Sequence, residues 1–243
     1  MIKKLVVFDK DGTLIDIHHY WGKMIELRAA LLADRFASQD KESLFGVLIE
    51  AMGLDVSTGL LKSSGPVGIR PRVEIVKLLK DILNGKGVVV SEAEVEITFQ
   101  EVDKFSTIAA KTFIKKLPGV DSLLSTLKSN GLKIAIATTD LHSRAEMAMN
   151  ISGMDIYLDE VIGADDVQSS KPSPDMLFVL MDKFGVNPKD TVMIGDAAVD
   201  QAMAVSADVD FIGVKSGLSV SDQNLLSGCW VEDMAAVGNL LCK

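Results

Sequence analysis

Cysteine is scarce: two residues, Cys229 and Cys242, in a chain of 243. Two thiols near one end make neither a disulfide framework nor a zinc pattern, and they suit a reducing compartment. Long apolar runs are missing as well. Nothing approaches the roughly 18 apolar residues of a membrane-spanning helix. The short apolar run behind Lys3 and Lys4 is too brief for a signal peptide, so the expectation is a cytoplasmic protein without membrane contact. Positive charge is in short supply: 25 Lys plus Arg stand against 34 Asp plus Glu, a formal net charge of −9. That balance disfavours electrostatic binding of nucleic acid. A small anionic substrate would have to be drawn in by local cations or a metal, not by the overall field. Internal repeats and low-complexity segments are absent. What is plentiful is core-forming material, 48% hydrophobic residues beside 24% charged ones. That suffices for one large domain, or for a core with a smaller companion.

The pattern along the chain changes twice. Leu5 to Phe8 reads as a short buried strand. Residues 17 to 114 read as helical: Met24, Leu27, Leu31 and Phe36 recur at helical spacing, Ile75, Leu79 and Ile82 form a stripe behind Pro71, and Ser91 with Glu94 makes a capping box. The one strand-like run in this block is Val88–Val90, and residues 63–69 form its clearest loop. After Pro118-Gly119, strands and helices alternate: strands in LKIAIATT, at Glu160 to Gly163, and in TVMIGD, DFIGV and CWV, with helices between most of them. Such alternation predicts an α/β fold, a doubly wound parallel sheet covered on both faces. The helical block is an insertion between the first strand and the others.

In an open parallel sheet, ligands bind beyond the carboxyl ends of the strands. The residues there are Asp9, Asp11, Gly12 and Thr13 after the first strand, and Thr138, Thr139 and Asp140 after IAIA. Lys171 lies in SKPSPD, and Gly195, Asp196 and Asp200 follow TVMI. Gly12 permits the bend that turns Asp11 into the crevice. Asp9, Asp11 and Asp196 in one place repel unless a cation sits among them, and oxygen-only ligation suits Mg²⁺. Lys171 and the Thr138 hydroxyl can then hold phosphate oxygens, so the edge looks built for a phosphoryl group. Lys10, between the two aspartates, is expected to point away.

These motifs resemble the haloacid dehalogenase (HAD) superfamily, in its subgroup with a helical cap after the first motif, phosphoglycolate phosphatase and beta-phosphoglucomutase-like. DKDGT (9–13), Thr138 in IAIATT, Lys171 in KPSPD and GDAAVD (195–200) match the four motifs of that family. The resemblance implies a Rossmann-like α/β core at 1–16 and 115–243 and an all-helical cap at 17–114. It implies Asp9 as nucleophile, forming an aspartyl-phosphate, and Asp11 as the acid and base. Gly12, Thr138, Thr139 and Lys171 would bind the phosphoryl oxygens. Mg²⁺ would be held by the Asp9 carboxylate, the Asp11 backbone carbonyl and Asp196, with Asp200 orienting Lys171 or a metal-bound water. Thr139 stands where many capped relatives have Asn.

The intact second aspartate favours phosphate-ester chemistry, since dehalogenases and carbon–phosphorus hydrolases of the superfamily lack it. The leading expectation is a Mg²⁺-dependent phosphatase for a small phosphorylated metabolite, working as a monomer or homodimer. A capped sugar phosphomutase, returning the phosphoryl group to substrate, is the alternative; a non-catalytic phosphate-sensing module is a third reading. A closing cap would exclude water and bulky substrates. For substrate choice the candidates are His18, His19 and Trp21, just past the first hinge, and Arg70, placed before Pro71 to clamp a carboxylate or second phosphate.

Overall fold

The computed structural model describes residues 3–37, 40–62, 64–67, 70–217 and 229–241. In chain order its elements begin with β1 (Leu5–Phe8), α1 (Ile17–Phe36), α2 (Lys41–Met52), β2 (Leu54–Asp55), β3 (Leu60–Leu61), α3 (Arg72–Gly85), α4 (Glu92–Ile108) and α5 (Ala110–Phe113). They continue with α6 (Val120–Ser129), β4 (Lys133–Ala137), α7 (His142–Ser152), β5 (Glu160–Ile162), α8 (Asp175–Phe184), β6 (Thr191–Gly195), α9 (Ala198–Ser206), β7 (Asp210–Val214), β8 (Cys229–Val231) and α10 (Met234–Leu241). The chain divides into two compact units, Met1–Ile17 with Ile114–Lys243, and His18–Phe113.

Among the described residues the first unit holds a six-stranded sheet in the order β5-β4-β1-β6-β7-β8. Every pairing in it is parallel. Strands buried on both faces need apolar residues at successive positions, which is why they read as unbroken runs. Alternate side chains serve opposite layers. Val6, Phe8, Ile134, Ile136, Val192 and Ile194 pack with Leu123, Leu124 and Leu127 of α6, Met149 of α7 and Val237 of α10. Leu5, Val7, Ala135, Ala137 and Met193 pack with Met176, Leu177 and Leu180 of α8 and Met203 of α9. Each fully buried Leu, Ile or Phe contributes about 1.5–3 kcal/mol. The register fixes the functional edge: Phe8 lies opposite Ile136 on one side and Ile194 on the other. The strand ends at 8, 137 and 195 therefore open onto the same rim. Near this rim the links at 14–16 and 115–117 pair, with Asp16 N–H donating to Lys115 O and Leu117 N–H to Leu14 O.

The second unit is mainly helical. Ile25, Leu32, Leu48, Leu79, Leu83 and Phe99 are fully buried in it. The Ser91–Glu94 capping box forms, with Ser91 N–H donating to Glu94 and Glu94 N–H to Ser91 Oγ. Buried Arg28 lies 3.0 Å from Asp103 and stacks on Phe99 with its guanidinium carbon 4.2 Å from the ring centre. Two details differ from the sequence expectation. The unit contains the antiparallel pair β2–β3, and Val88–Val90 is not a strand but the connection from α3 to α4. Val89 is almost wholly exposed. The backbone of this run bonds locally, Val88 N–H to Leu83 O and Val90 N–H to Asn84 Oδ1, so propensity alone does not make it a strand.

Cys229 is an exposed free thiol, while Cys242 lies outside the described residues, as do 63, 68 and 69 of the loop named above. Among the described residues no helix is long and apolar enough to cross a membrane.

Candidate active site

β1 ends at Phe8, and Asp9 continues its pairing for one more bond, N–H to Ile194 O at 2.8 Å. The chain then turns. Lys10 O accepts from both Leu14 N–H and Ile15 N–H, and Gly12 N–H donates to Ile15 O. Gly12 takes φ +89°, the left-handed region, and a Cβ there would stand 2.5 Å from Asp196 Oδ2. Only glycine meets both demands.

Asp9, Asp196 and Asp200 each place a carboxylate oxygen within 4.8 Å of the others, and all three side chains are buried. Lys171 reaches into the group, with Nζ 2.6 Å from Asp9 Oδ1 and 2.6 Å from Asp200 Oδ1. Asp200 Oδ2 also accepts from Ala197 N–H at 3.1 Å, which fixes it at the start of α9. Thr13, fully buried, donates to Asp196 Oδ1 at 3.3 Å. Burial pushes the Asp9 carboxyl up to about 6 despite the opposing pull of Lys171. Burial, with Asp9 and Asp200 close by, pushes Asp196 well above the usual carboxylate range. Burial works against the Lys171 ammonium, but Asp9 and Asp200 outweigh it and hold its pKa above the ordinary value. Three acids around one lysine leave excess negative charge out of water, which is costly unless a cation joins them.

The other sequence candidates fall into three places. Thr138 is buried at the end of β4, where its N–H donates to Ile162 O and its Oγ1 accepts from Asp140 N–H. Thr139 beside it is exposed. Asp11 is at the rim, its side chain 40% exposed and outside the group of three carboxylates. His18, His19, Trp21 and Arg70 belong to the helical unit. There His18 Nδ1 accepts from Leu61 N–H at 3.1 Å, His19 Nε2 lies 3.0 Å from Thr112 O, and Trp21 stacks edge-on against Tyr20. Arg70 is exposed.

Lys10 is a correction. It does not point away: it is 6% exposed, with Nζ 2.9 Å from both Asp11 Oδ2 and Asp140 Oδ2. Alternation would send residue 10 to the face opposite 9 and 11 only if the strand continued, and it ends at Phe8. Sequence reasoning also passed over the loop after β7. Ser216 Oγ donates to Gly12 O at 2.6 Å. A Cβ on Gly217 would overlap the Asp196 carboxylate. The signal was there, because DFIGV is a parallel strand and the rule about carboxyl ends applies to it as well.

Residues 3–208 match the family model described as haloacid dehalogenase-like hydrolase. A protein of Dickeya dadantii named "Probable phosphatase IndB" is 28% identical over 222 residues, covering 91% of this chain and 85% of the relative. The phosphoglycolate phosphatase of Rhodospirillum rubrum is 25% identical over 248 residues, covering 98% and 90%. The crystal structure of a HAD-superfamily hydrolase, subfamily IA, from Geobacter sulfurreducens superposes with a TM-score of 0.69 at 19% identity, covering 98% of this chain and 96% of that one. With the family model spanning most of its length and all four motif positions on one rim of a parallel sheet, this chain belongs to the haloacid dehalogenase-like hydrolases.

Proposed function

We propose that the protein is a Mg²⁺-dependent phosphatase that hydrolyses a small phosphomonoester through an aspartyl-phosphate on Asp9. The observation that carries this reading is Lys171 Nζ held 2.6 Å from Asp9, inside a buried group of three carboxylates. A carboxylate nucleophile beside a fixed cation suits attack on an anionic phosphoryl group. The phosphatase names of relatives in Dickeya dadantii and Rhodospirillum rubrum support the same class of reaction.

The donor set fits a hard divalent cation. It offers oxygen atoms only, its carboxylates are buried, and Lys171 alone does not balance them. Mg²⁺ prefers one or two carboxylates with water and phosphate oxygen filling the remainder. The Asp9 carboxylate, the Asp11 backbone carbonyl and Asp196 would hold it, and it would neutralise charge on the phosphoryl oxygens.

The chain's own residues do the remaining work. An Asp9 oxygen attacks phosphorus in line as the ester P–O bond breaks, and Asp11 gives the departing alcohol its proton. Asp11 then takes a proton from the water that releases phosphate from Asp9. Thr138 and Lys171 bind the phosphoryl oxygens, Gly12 leaves room for the Asp196 carboxylate, and Asp200 keeps Lys171 aimed. A cytoplasmic setting and a small phosphorylated metabolite complete the reading.

The test is phosphate release from a panel of small phosphate esters with Mg²⁺ and with EDTA. Turnover with Mg²⁺, none with EDTA and none for Asp9→Asn is the expected pattern. Asp11→Asn should lose about 10²–10⁴ in rate, the scale of acid–base help. Undiminished turnover in EDTA, or a phosphoenzyme formed by Asp9→Asn, would sink the mechanism.

A further inference from the structure

Lys10 occupies the position between the two motif aspartates, where the phosphatase mechanism assigns it nothing. Its side chain is buried, and its ammonium bridges two carboxylates at 2.9 Å each, Asp11 Oδ2 and Asp140 Oδ2. The two carboxylates are not equivalent. Asp140 is held by three hydrogen bonds besides Lys10: its Oδ1 accepts from Leu141 N–H at 2.8 Å, its carbonyl accepts from Ala164 N–H at 2.8 Å, and its N–H donates to Thr138 Oγ1. Asp11 has a side chain 40% exposed, and one of its carboxylate oxygens meets the Lys10 ammonium. The Lys10 backbone is itself fixed, since its carbonyl accepts from both Leu14 and Ile15.

We propose that Lys10 is a positioning residue: anchored by Asp140 at the end of β4, it holds the Asp11 carboxyl group in place, through Oδ2, for proton transfer from the protonated form to the leaving oxygen. This rests on the phosphatase reading above. The physical reason is rotamer freedom. A half-exposed aspartate samples several χ1 and χ2 settings, and misplacing a reacting group by about 1 Å can cost on the order of 10² in rate. Lys10 converts a mobile carboxylate into a placed one, and Asp140 supplies the rigid end of the strut.

The prediction is specific to the leaving group. kcat/KM reports the first chemical step, in which Asp11 gives a proton to the departing oxygen. An alkyl alkoxide needs that proton; p-nitrophenolate leaves without it. In Lys10→Met, which keeps the buried stem, kcat/KM should fall about 10²-fold on the fastest alkyl ester of the panel and only a few-fold on p-nitrophenyl phosphate. Asp140→Asn, which keeps the acceptor for Leu141 N–H, should show the same bias to a smaller degree. The double variant should be no worse than Lys10→Met. Equal loss on both esters, or no loss on either, would overturn the proposal, because a merely structural role lowers both alike. Should Lys10→Met fail to fold, Asp140→Asn carries the same comparison, with thermal melting as the check on folding. If the wild-type protein hydrolyses no ester and Asp9→Asn matches it, the phosphatase reading itself fails, and the role of Lys10 falls with it.

Discussion

Lys171 Nζ lies 2.6 Å from Asp9 Oδ1, with both side chains almost closed off from solvent. The same ammonium meets Asp200 at 2.6 Å, so one cation serves two buried acids. Lys171→Met removes it and leaves Asp9, Asp196 and Asp200 facing one another. Breaking a buried pair from one side costs about 3–5 kcal/mol. Urea unfolding in EDTA should show a loss of that order. A variant as stable as wild type in EDTA would mean that the three carboxylates protonate at little cost.

Asp196 bears on the metal directly. A ligand that binds only the native state stabilises it by RT ln(1 + [L]/Kd), about 2.7 kcal/mol at 100 times Kd. Mg²⁺ should therefore raise the melting temperature of the wild-type protein, and Asp196→Asn should abolish the rise. Ca²⁺ prefers more ligands in looser geometry and should inhibit turnover. An equal Mg²⁺ shift in Asp196→Asn would remove this carboxylate from the set of metal ligands.

Gly217 has no room for a side chain, because a Cβ there would overlap the Asp196 carboxylate. Gly217→Ala must push one of the two aside. Overpacking of this kind costs about 1–3 kcal/mol, and the displaced group is a candidate metal ligand. The expected result is a lower melting temperature together with weaker Mg²⁺ binding, read by titration calorimetry. Wild-type Mg²⁺ affinity in Gly217→Ala would show that the loop yields and Asp196 stays.

His142 gives a pH dependence away from the metal site. Its Nδ1 lies 2.7 Å from Asp166 Oδ2 and its Nε2 3.4 Å from Glu146 Oε1. The hydrogen bond to Asp166, aided by the charges of Asp166 and Glu146, raises its pKa above the ordinary value. A raised folded pKa means the native state holds the proton more tightly than the unfolded chain. The stabilisation is complete below the unfolded value of about 6.5 and is lost as pH rises through the higher folded value. His142→Gln should therefore lower the melting temperature more at about pH 5.5 than at about pH 9. Equal losses at both would show that protonation contributes nothing.

Local signals were enough for much of this protein. The apolar run Leu5–Phe8, the alternation of strand and helix after residue 118, and the Ser91–Glu94 box all depend on near neighbours, and all three stand in the structure. Asp9, Lys171, Asp196 and Asp200 were legible for a related reason. Asp9 and Asp196 come directly after short apolar strands, Lys171 lies in the connection that follows β5 and Asp200 in the first turn of the helix that follows β6, and a parallel sheet brings strand ends to one rim whatever the order of its strands. Contacts between distant segments were not legible. The order β5-β4-β1-β6-β7-β8 is decided by packing against helices on two faces. Val88–Val90 has strand propensity but no edge to join, and the two-residue strands β2 and β3 are too short to leave a periodic trace. Lys10 shows the limit most clearly. Its direction depends on the chain leaving the strand at Phe8 and on Asp140, 130 residues away, waiting as a partly buried counter-charge. Residue type and spacing determine which groups are available for chemistry; which of them touch is settled only when the sheet closes the sequence distance between them.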